Sequence, residues 1–245
     1  MKIKAVISDV YRTLIDIKTD EKDDSAYRTL AAYLKYQGIY LSSSELEWFF
    51  FEKKARQKER SSEECPEHDY RSIWGEILRE NMYSYTGPDL DNSSIVSDIV
   101  KLHRSLTVRK IKLYPGVYET FNDLKNRYRL GIVSDSQPDH AGPELKASGI
   151  YDFFNTVIIS GKYGYRKPDT RLFKKCLKKL DVEPDEAVFI GNDLDRDIRG
   201  AKNAGMKSVL ILTKYDRKDR GIGDADYIID RISDIYGVLE DLWRR

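Results

Sequence analysis

From Tyr114-Pro115-Gly116 onward the chain alternates short apolar runs with helical stripes, the pattern of βαβ units that feed a parallel sheet. The runs lie at 130–133, 156–159, 187–190, 208–212 and 227–229. Each is nearly continuous in apolar residues, as a sheet covered on both faces requires. Between them, Val117, Phe121, Leu124 and Tyr128 fall at helical spacing. Further helices are expected over 169–180, with Pro168 at an early position, and over 195–204 before the stop at Gly205. Ile232, Ile235, Leu239 and Leu242 mark a last amphipathic helix.

One more apolar run, Ala5-Val6-Ile7-Ser8, stands apart at the N-terminus and ends on Asp9. The segment between it and the alternating region reads as helical throughout. Ser25 is placed to cap a stripe of Tyr27, Leu30, Ala31 and Leu34 that stops at Gly38. Ser44 and Glu47 have capping-box spacing ahead of Phe49 and Phe50, and the stretch 52–64 reads as a solvated charged face. Ile73, Trp74, Ile77 and Leu78 make a third stripe, and Ile95, Ile99, Leu102 and Leu106 a fourth. The expected fold is α/β: a doubly wound, Rossmann-like parallel-sheet core over 1–16 and 108–245, with an all-helical domain inserted over 17–107.

A chain of 245 residues, 40% hydrophobic, can bury a substantial core. Forty-two basic residues balance 41 acidic ones, which gives no reason to expect nucleic acid or an anionic membrane as a partner. Cys65 and Cys176 are too few for a disulfide framework or a multi-cysteine zinc site, and a cytoplasmic setting is expected. No apolar run approaches membrane-spanning length.

In an open parallel sheet ligands bind beyond the carboxyl ends of the strands. Asp9, Ser134, Lys167 and the cluster Asn192, Asp193, Asp195 and Asp197 all follow apolar runs or open helices, so they are candidates for one site. Taken singly, each has a plainer reading: Asp9 as a turn residue, Ser134 as a cap, Asp195 as a helix cap. His68, His103 and His140 are scattered and show no ligand spacing.

Acid, hydroxyl, lysine and acid cluster, in that order, resemble the haloacid dehalogenase superfamily of hydrolases. The resemblance covers residues 1–16 and about 110–245. It implies that Asp9 is a nucleophile forming a covalent intermediate, and that Ser134 and Lys167 hold the transferring group. It also implies a Mg2+ site drawing on Asp9, the Tyr11 backbone carbonyl, Asn192, Asp193 and Asp197. Asp193 is the expected direct ligand, Asp197 direct or behind it, and Asn192 a neutral one. Arg12 and Asp135 join Ser134 and Lys167 as expected contacts of an anionic small-molecule substrate. The helical insert corresponds to a cap, and Tyr40, Trp48, Arg56, Arg71 and Trp74 are candidates to line it.

The chain departs from the family's phosphatases at Tyr11, where a second acid is usual, and at Arg12, where glycine is usual. An unperturbed tyrosine is a poor proton donor near neutral pH. Tyr11 therefore points toward metal-independent 2-haloacid dehalogenases, whereas the acidic cluster points toward Mg2+-dependent hydrolysis of a small phosphorylated metabolite through an aspartyl-phosphate. The second is the favoured expectation. A catalytically silent ligand- or partner-binding protein is the third. His140 or Asp135 could replace the missing acid.

Overall fold

The computed structural model describes residues 2–82, 93–213 and 223–244. Two compact units emerge, one made of Met1–Ile17 with Ile111–Arg245 and the other of Lys18–Lys110. Eight strands are present among the described residues: β1 (Ala5–Ser8), β2 (Ile15–Thr19), β3 (Val108–Leu113), β4 (Arg129–Ser134), β5 (Thr156–Ile159), β6 (Ala187–Gly191), β7 (Lys207–Ile211) and β8 (Tyr227–Ile229). Six of them form one sheet in the order β5-β4-β1-β6-β7-β8, every pairing parallel.

Four helices belong to the second unit: α1 (Asp24–Tyr36), α2 (Ser43–Arg60), α3 (Tyr70–Asn81) and α4 (Ser94–Thr107). The sheet unit carries α5 (Val117–Leu124), α6 (Pro138–Ala147), α7 (Thr170–Leu180), α8 (Arg199–Asn203) and α9 (Ile235–Arg244). Side chains of β1 alternate between two cores. Val6 joins Phe121, Leu124, Leu145 and Leu239 on one face, while Ala5 and Ile7 join Leu172, Phe173, Cys176 and Ala201 on the other. This two-sided burial is why the strands read as unbroken apolar runs.

β1 comes first in sequence yet sits in the middle of the sheet, with β4 on one side and β6 on the other. Chain direction reverses its progress across the sheet at that point, and a crevice opens beyond the strand ends there. Ser8 lies level with Ile132 of β4 and Ile190 of β6. Asp9, Ser134 and Asn192 are thereby brought to the carboxyl ends of three adjacent strands.

Several local expectations are corrected. Strands β2 and β3, which pair as a separate two-stranded sheet, were not expected, because Lys and Arg side chains dilute their apolar pattern. Asp23 caps α1 in place of Ser25, accepting from the Ser25 N–H at 3.0 Å. The capping box of α2 is Ser42 with Glu45, two residues before the expected Ser44 and Glu47. Asp169 caps α7 and Pro168 precedes the helix. Trp74 is fully buried within the helical unit, against Phe50 and His103, and so lines no surface of it.

His103 fills the same aromatic core, with ring centroids 4.6 Å from Phe50 and 5.4 Å from Trp74, and its Nε2 has no hydrogen-bond partner among the described residues. Burial, aided by Lys54 and Arg104, pushes its imidazolium down to about 4 from 6.5. The folded state binds the proton less readily than the unfolded chain, so this contribution is full above about pH 6.5 and is lost as pH falls toward 4. Near pH 4 the loss should reach about 3 kcal/mol. Unfolding followed from pH 7 to pH 4.5 should show this slope, and His103→Phe should flatten it.

Candidate active site

Asp9 leaves β1 with its N–H bonded to the Ile190 carbonyl at 2.9 Å, which fixes the start of the loop to β6. The loop then turns sharply, with the N–H groups of Leu14 and Ile15 both donating to the Val10 carbonyl at 2.8 and 2.9 Å. Arg12 has φ of 64°, the left-handed region where only glycine is free of strain. That turn returns Thr13 to Asp9, so that its Oγ1 donates to Asp9 Oδ2 at 3.0 Å and lies 3.3 Å from Asn192 Oδ1. Arg12→Gly should therefore raise stability, by about 1 kcal/mol, as read from a denaturant midpoint at unchanged slope.

Lys167 is the hub. Its buried ammonium donates to Asp9 Oδ1 at 2.7 Å, to Asp197 Oδ1 at 2.6 Å and to the Val133 carbonyl at 3.2 Å. Burial alone would lower its pKa, but Asp197 and Asp9 outweigh it and hold the group protonated well above its ordinary range. Asp197 Oδ2 in turn accepts the N–H groups of Asn192 and Asp193, each at 3.0 Å. Burial, reinforced by the charge of Asp9, pushes the Asp197 carboxyl up to about 6 in spite of Lys167.

A cavity of about 240 Å³ is lined by Asp9, Tyr11, Arg12, Asp135, Lys167, Asn192, Arg196 and Asp197. Seven of the nine residues expected at the site line it; Ser134 and Asp193 do not. The structure does not bring Asp193 into this lining. Its carboxylate caps the wide turn Leu194–Ile198, accepting from the N–H groups of Asp195 and Arg196 at 3.0 Å and from Arg196 Nη2 at 2.8 Å. Arg196 outweighs partial burial there and holds the Asp193 carboxyl below the usual range. The cap is Asp193, whereas the sequence pointed to Asp195.

Ser134 is also outside the lining. It ends β4 fully buried, and its Oγ has no hydrogen-bond partner among the described residues. Tyr11 lines the cavity, and its hydroxyl donates to Glu144 Oε2 of α6 while Ser136 Oγ lies 3.4 Å away. Thr13, Glu144 and Arg196 were not singled out from the sequence. Thr13 carried a faint signal, a hydroxyl four residues after Asp9; the other two are brought in by tertiary packing.

The family model for haloacid dehalogenase-like hydrolases matches residues 45–211, more than half of the chain. The chain belongs to that family. The match begins beyond the Asp9 loop, where Tyr11 and Arg12 depart from the usual pattern. As a haloacid dehalogenase-like hydrolase the chain is 34% identical, over 160 residues, to a glyceraldehyde 3-phosphate phosphatase of Methanopyrus kandleri, covering 64% of this chain and 68% of that protein. It is 39% identical over 129 residues to the protein of the same name from Pyrococcus furiosus, covering 51% and 54% of the two chains, so only about half of that relative's length is spanned. A solved HAD phosphatase of Thermococcus onnurineus superposes with TM-score 0.61 at 25% identity over 97% of this chain and 98% of the other. A 2-haloacid dehalogenase of Pseudomonas syringae pv. Tomato DC3000 reaches TM-score 0.70 at 19% identity over 98% and 99%, a likeness of fold.

Proposed function

We propose that the chain hydrolyses a small phosphorylated metabolite, with Asp9 as the nucleophile and Mg2+ as cofactor. The observation that carries this is the Asp9 carboxylate, held by Lys167 and Thr13 at the mouth of the sheet's central crevice. Phosphatase relatives support it over halide release.

Asp9 attacks phosphorus and forms an acyl phosphate, splitting one difficult displacement into two. Lys167 fixes the carboxylate's orientation and offers positive charge where negative charge builds up on the transferring group. Ser134 Oγ, without a hydrogen-bond partner among the described residues, would donate to a phosphoryl oxygen. Arg12 adds charge at the rim that suits an anionic substrate.

Among the described residues no group of three or more His, Cys, Asp or Glu side chains is set to hold a metal ion. The oxygen atoms present nevertheless fit Mg2+, which needs only one or two carboxylates and keeps several waters. Asp9 Oδ2 and Asn192 Oδ1 converge on one hydroxyl, that of Thr13. Asp9, the Tyr11 carbonyl and Asn192 would hold the ion, with Asp197 orienting Asn192 through its backbone N–H. Bound there, Mg2+ would neutralise phosphoryl charge. Asp193, committed to capping, is left out of this set.

The proposal extends to the helical unit the substrate-selecting role that such inserts have in the family, and it places the protein in the cytoplasm. No helix among the described residues is long and apolar enough to cross a membrane. Phosphate release from a panel of phosphate esters and from pyrophosphate, with Mg2+ and with chelator, tests the reading. Mg2+-dependent turnover is expected; chelator-resistant halide release from 2-chloroacids, with no phosphate release, would overturn it.

A further inference from the structure

Hydrolysis of an alkyl phosphate needs a proton for its departing oxygen. The usual acid is replaced by Tyr11, and the Tyr11 hydroxyl is committed to Glu144. Three carboxylates remain in the cavity lining: Asp9, Asp135 and Asp197. Both oxygens of Asp9 are occupied, by Lys167 and Thr13. Both oxygens of Asp197 are occupied too, by Lys167 and by two backbone N–H groups.

Asp135 differs. Its Oδ1 accepts the Lys167 backbone N–H at 2.9 Å, which fixes the side chain's direction. Its Oδ2 is buried and has no hydrogen-bond partner among the described residues, with Arg196 Nη1 3.8 Å away. A buried carboxylate oxygen without a donor is costly, whereas the same oxygen protonated becomes an O–H donor in search of an acceptor. A substrate in the cavity that Asp135 lines is placed to supply that acceptor. His140, the other possible replacement, is buried in α6 and is not among the lining residues.

We propose that Asp135 is the general acid and base of this site, acting through Oδ2. The assignment rests on the phosphohydrolase reading above. In the first step Asp9 forms a bond to phosphorus, the bond from phosphorus to the leaving oxygen breaks, and that oxygen takes the Asp135 proton and departs as an alcohol. In the second, a water oxygen attacks phosphorus, Asp135 takes the water proton, and the bond to Asp9 breaks to release phosphate. Both carboxyl groups end in their starting states. Burial favours the protonated form of Asp135 and Asp197 reinforces it, while Lys167 and Arg196 stabilise the carboxylate left after the first step. Opposed influences of this kind suit a group that must give up a proton and take it back.

The test compares alkyl phosphates with p-nitrophenyl phosphate, whose leaving group departs without a proton, in the wild type and in Asp135→Asn. The asparagine keeps an acceptor for the Lys167 N–H. Expected is a fall in kcat/KM of about 100-fold or more for alkyl phosphates and less than about 10-fold for the aryl ester. Equal falls for both, or no fall, would overturn the assignment while leaving the hydrolase reading intact. If the wild type releases phosphate from neither class with Mg2+, the hydrolase reading fails and the assignment with it. Should Asp135→Asn not fold, the wild type decides alone: a shallow dependence of kcat/KM on leaving-group basicity supports Asp135 as acid, and a steep one overturns it.

Discussion

Lys167→Met is expected to remove nearly all phosphatase activity and a large part of the protein's stability. The methionine keeps the length of the side chain and deletes the charge. Asp9 and Asp197 would then share a dry pocket with no counter-ion, since each is within 2.7 Å of the Lys167 ammonium and less than a tenth exposed. Removing one partner of a buried ion pair costs about 3–5 kcal/mol, because the charge left behind is no longer solvated. Here two carboxylates are stranded. They can recover part of the loss by taking up protons, so the destabilisation should be larger at pH 8 than at pH 5. The rate should fall by about 100- to 1,000-fold for the lost electrostatic contact alone. Denaturant midpoints at the two pH values, read together with turnover, check both effects.

Gly191→Ala is expected to disable the site from behind. Gly191 ends β6, and a Cβ built on it would lie 2.4 Å from Asp197 Cβ and 2.6 Å from Asp197 Oδ2. Neither side can yield cheaply: the glycine is fixed in the sheet between β1 and β7, and Asp197 is bonded to Lys167 and two N–H groups. Overpacking of this kind costs about 1–3 kcal/mol. Displacing Asp197 also shifts Lys167 and, through it, Asp9. A misplacement of about 1 Å at a reacting group can cost on the order of 100-fold in rate. A variant with full activity and unchanged stability would mean that the Asp197 to Lys167 contact does not set the position of Asp9.

The sheet was legible in sequence because strands buried on both faces carry an unbroken apolar signal, as Val6, Ile132 and Ile190 do. Legible too was the acid at the end of the first strand, since Asp9 interrupts such a run. The short ribbon of β2 and β3 was not, because its residues are half charged and its pairing joins segments nearly 90 residues apart in sequence. The division of labour between Asp193 and Asp197 was equally hidden. Both acids follow β6 by a few residues, and only the wide turn at Leu194–Ile198 decides that one caps the turn while the other reaches Lys167. Tyr11 could be recognised as a departure, but its tether to Glu144 spans 133 positions and carries no local pattern. Composition could not choose between Asp135 and His140 as a proton donor; in the fold Asp135 lines the cavity and His140 does not.

The central claim is that Asp9 carries the phosphoryl group during turnover. Its most direct test is to quench the enzyme in mid-turnover with Mg2+ and a phosphate ester, reduce it with borohydride and sequence the N-terminal peptide by mass spectrometry. An acyl phosphate at Asp9 is reduced to homoserine, so homoserine at position 9, dependent on both substrate and Mg2+, is the predicted result. A single turnover in 18O-labelled water should then place the label in the released phosphate, because water attacks phosphorus. Turnover with position 9 unmodified, or label recovered in the Asp9 carboxylate as hydrolysis of a carbon ester requires, would contradict the account.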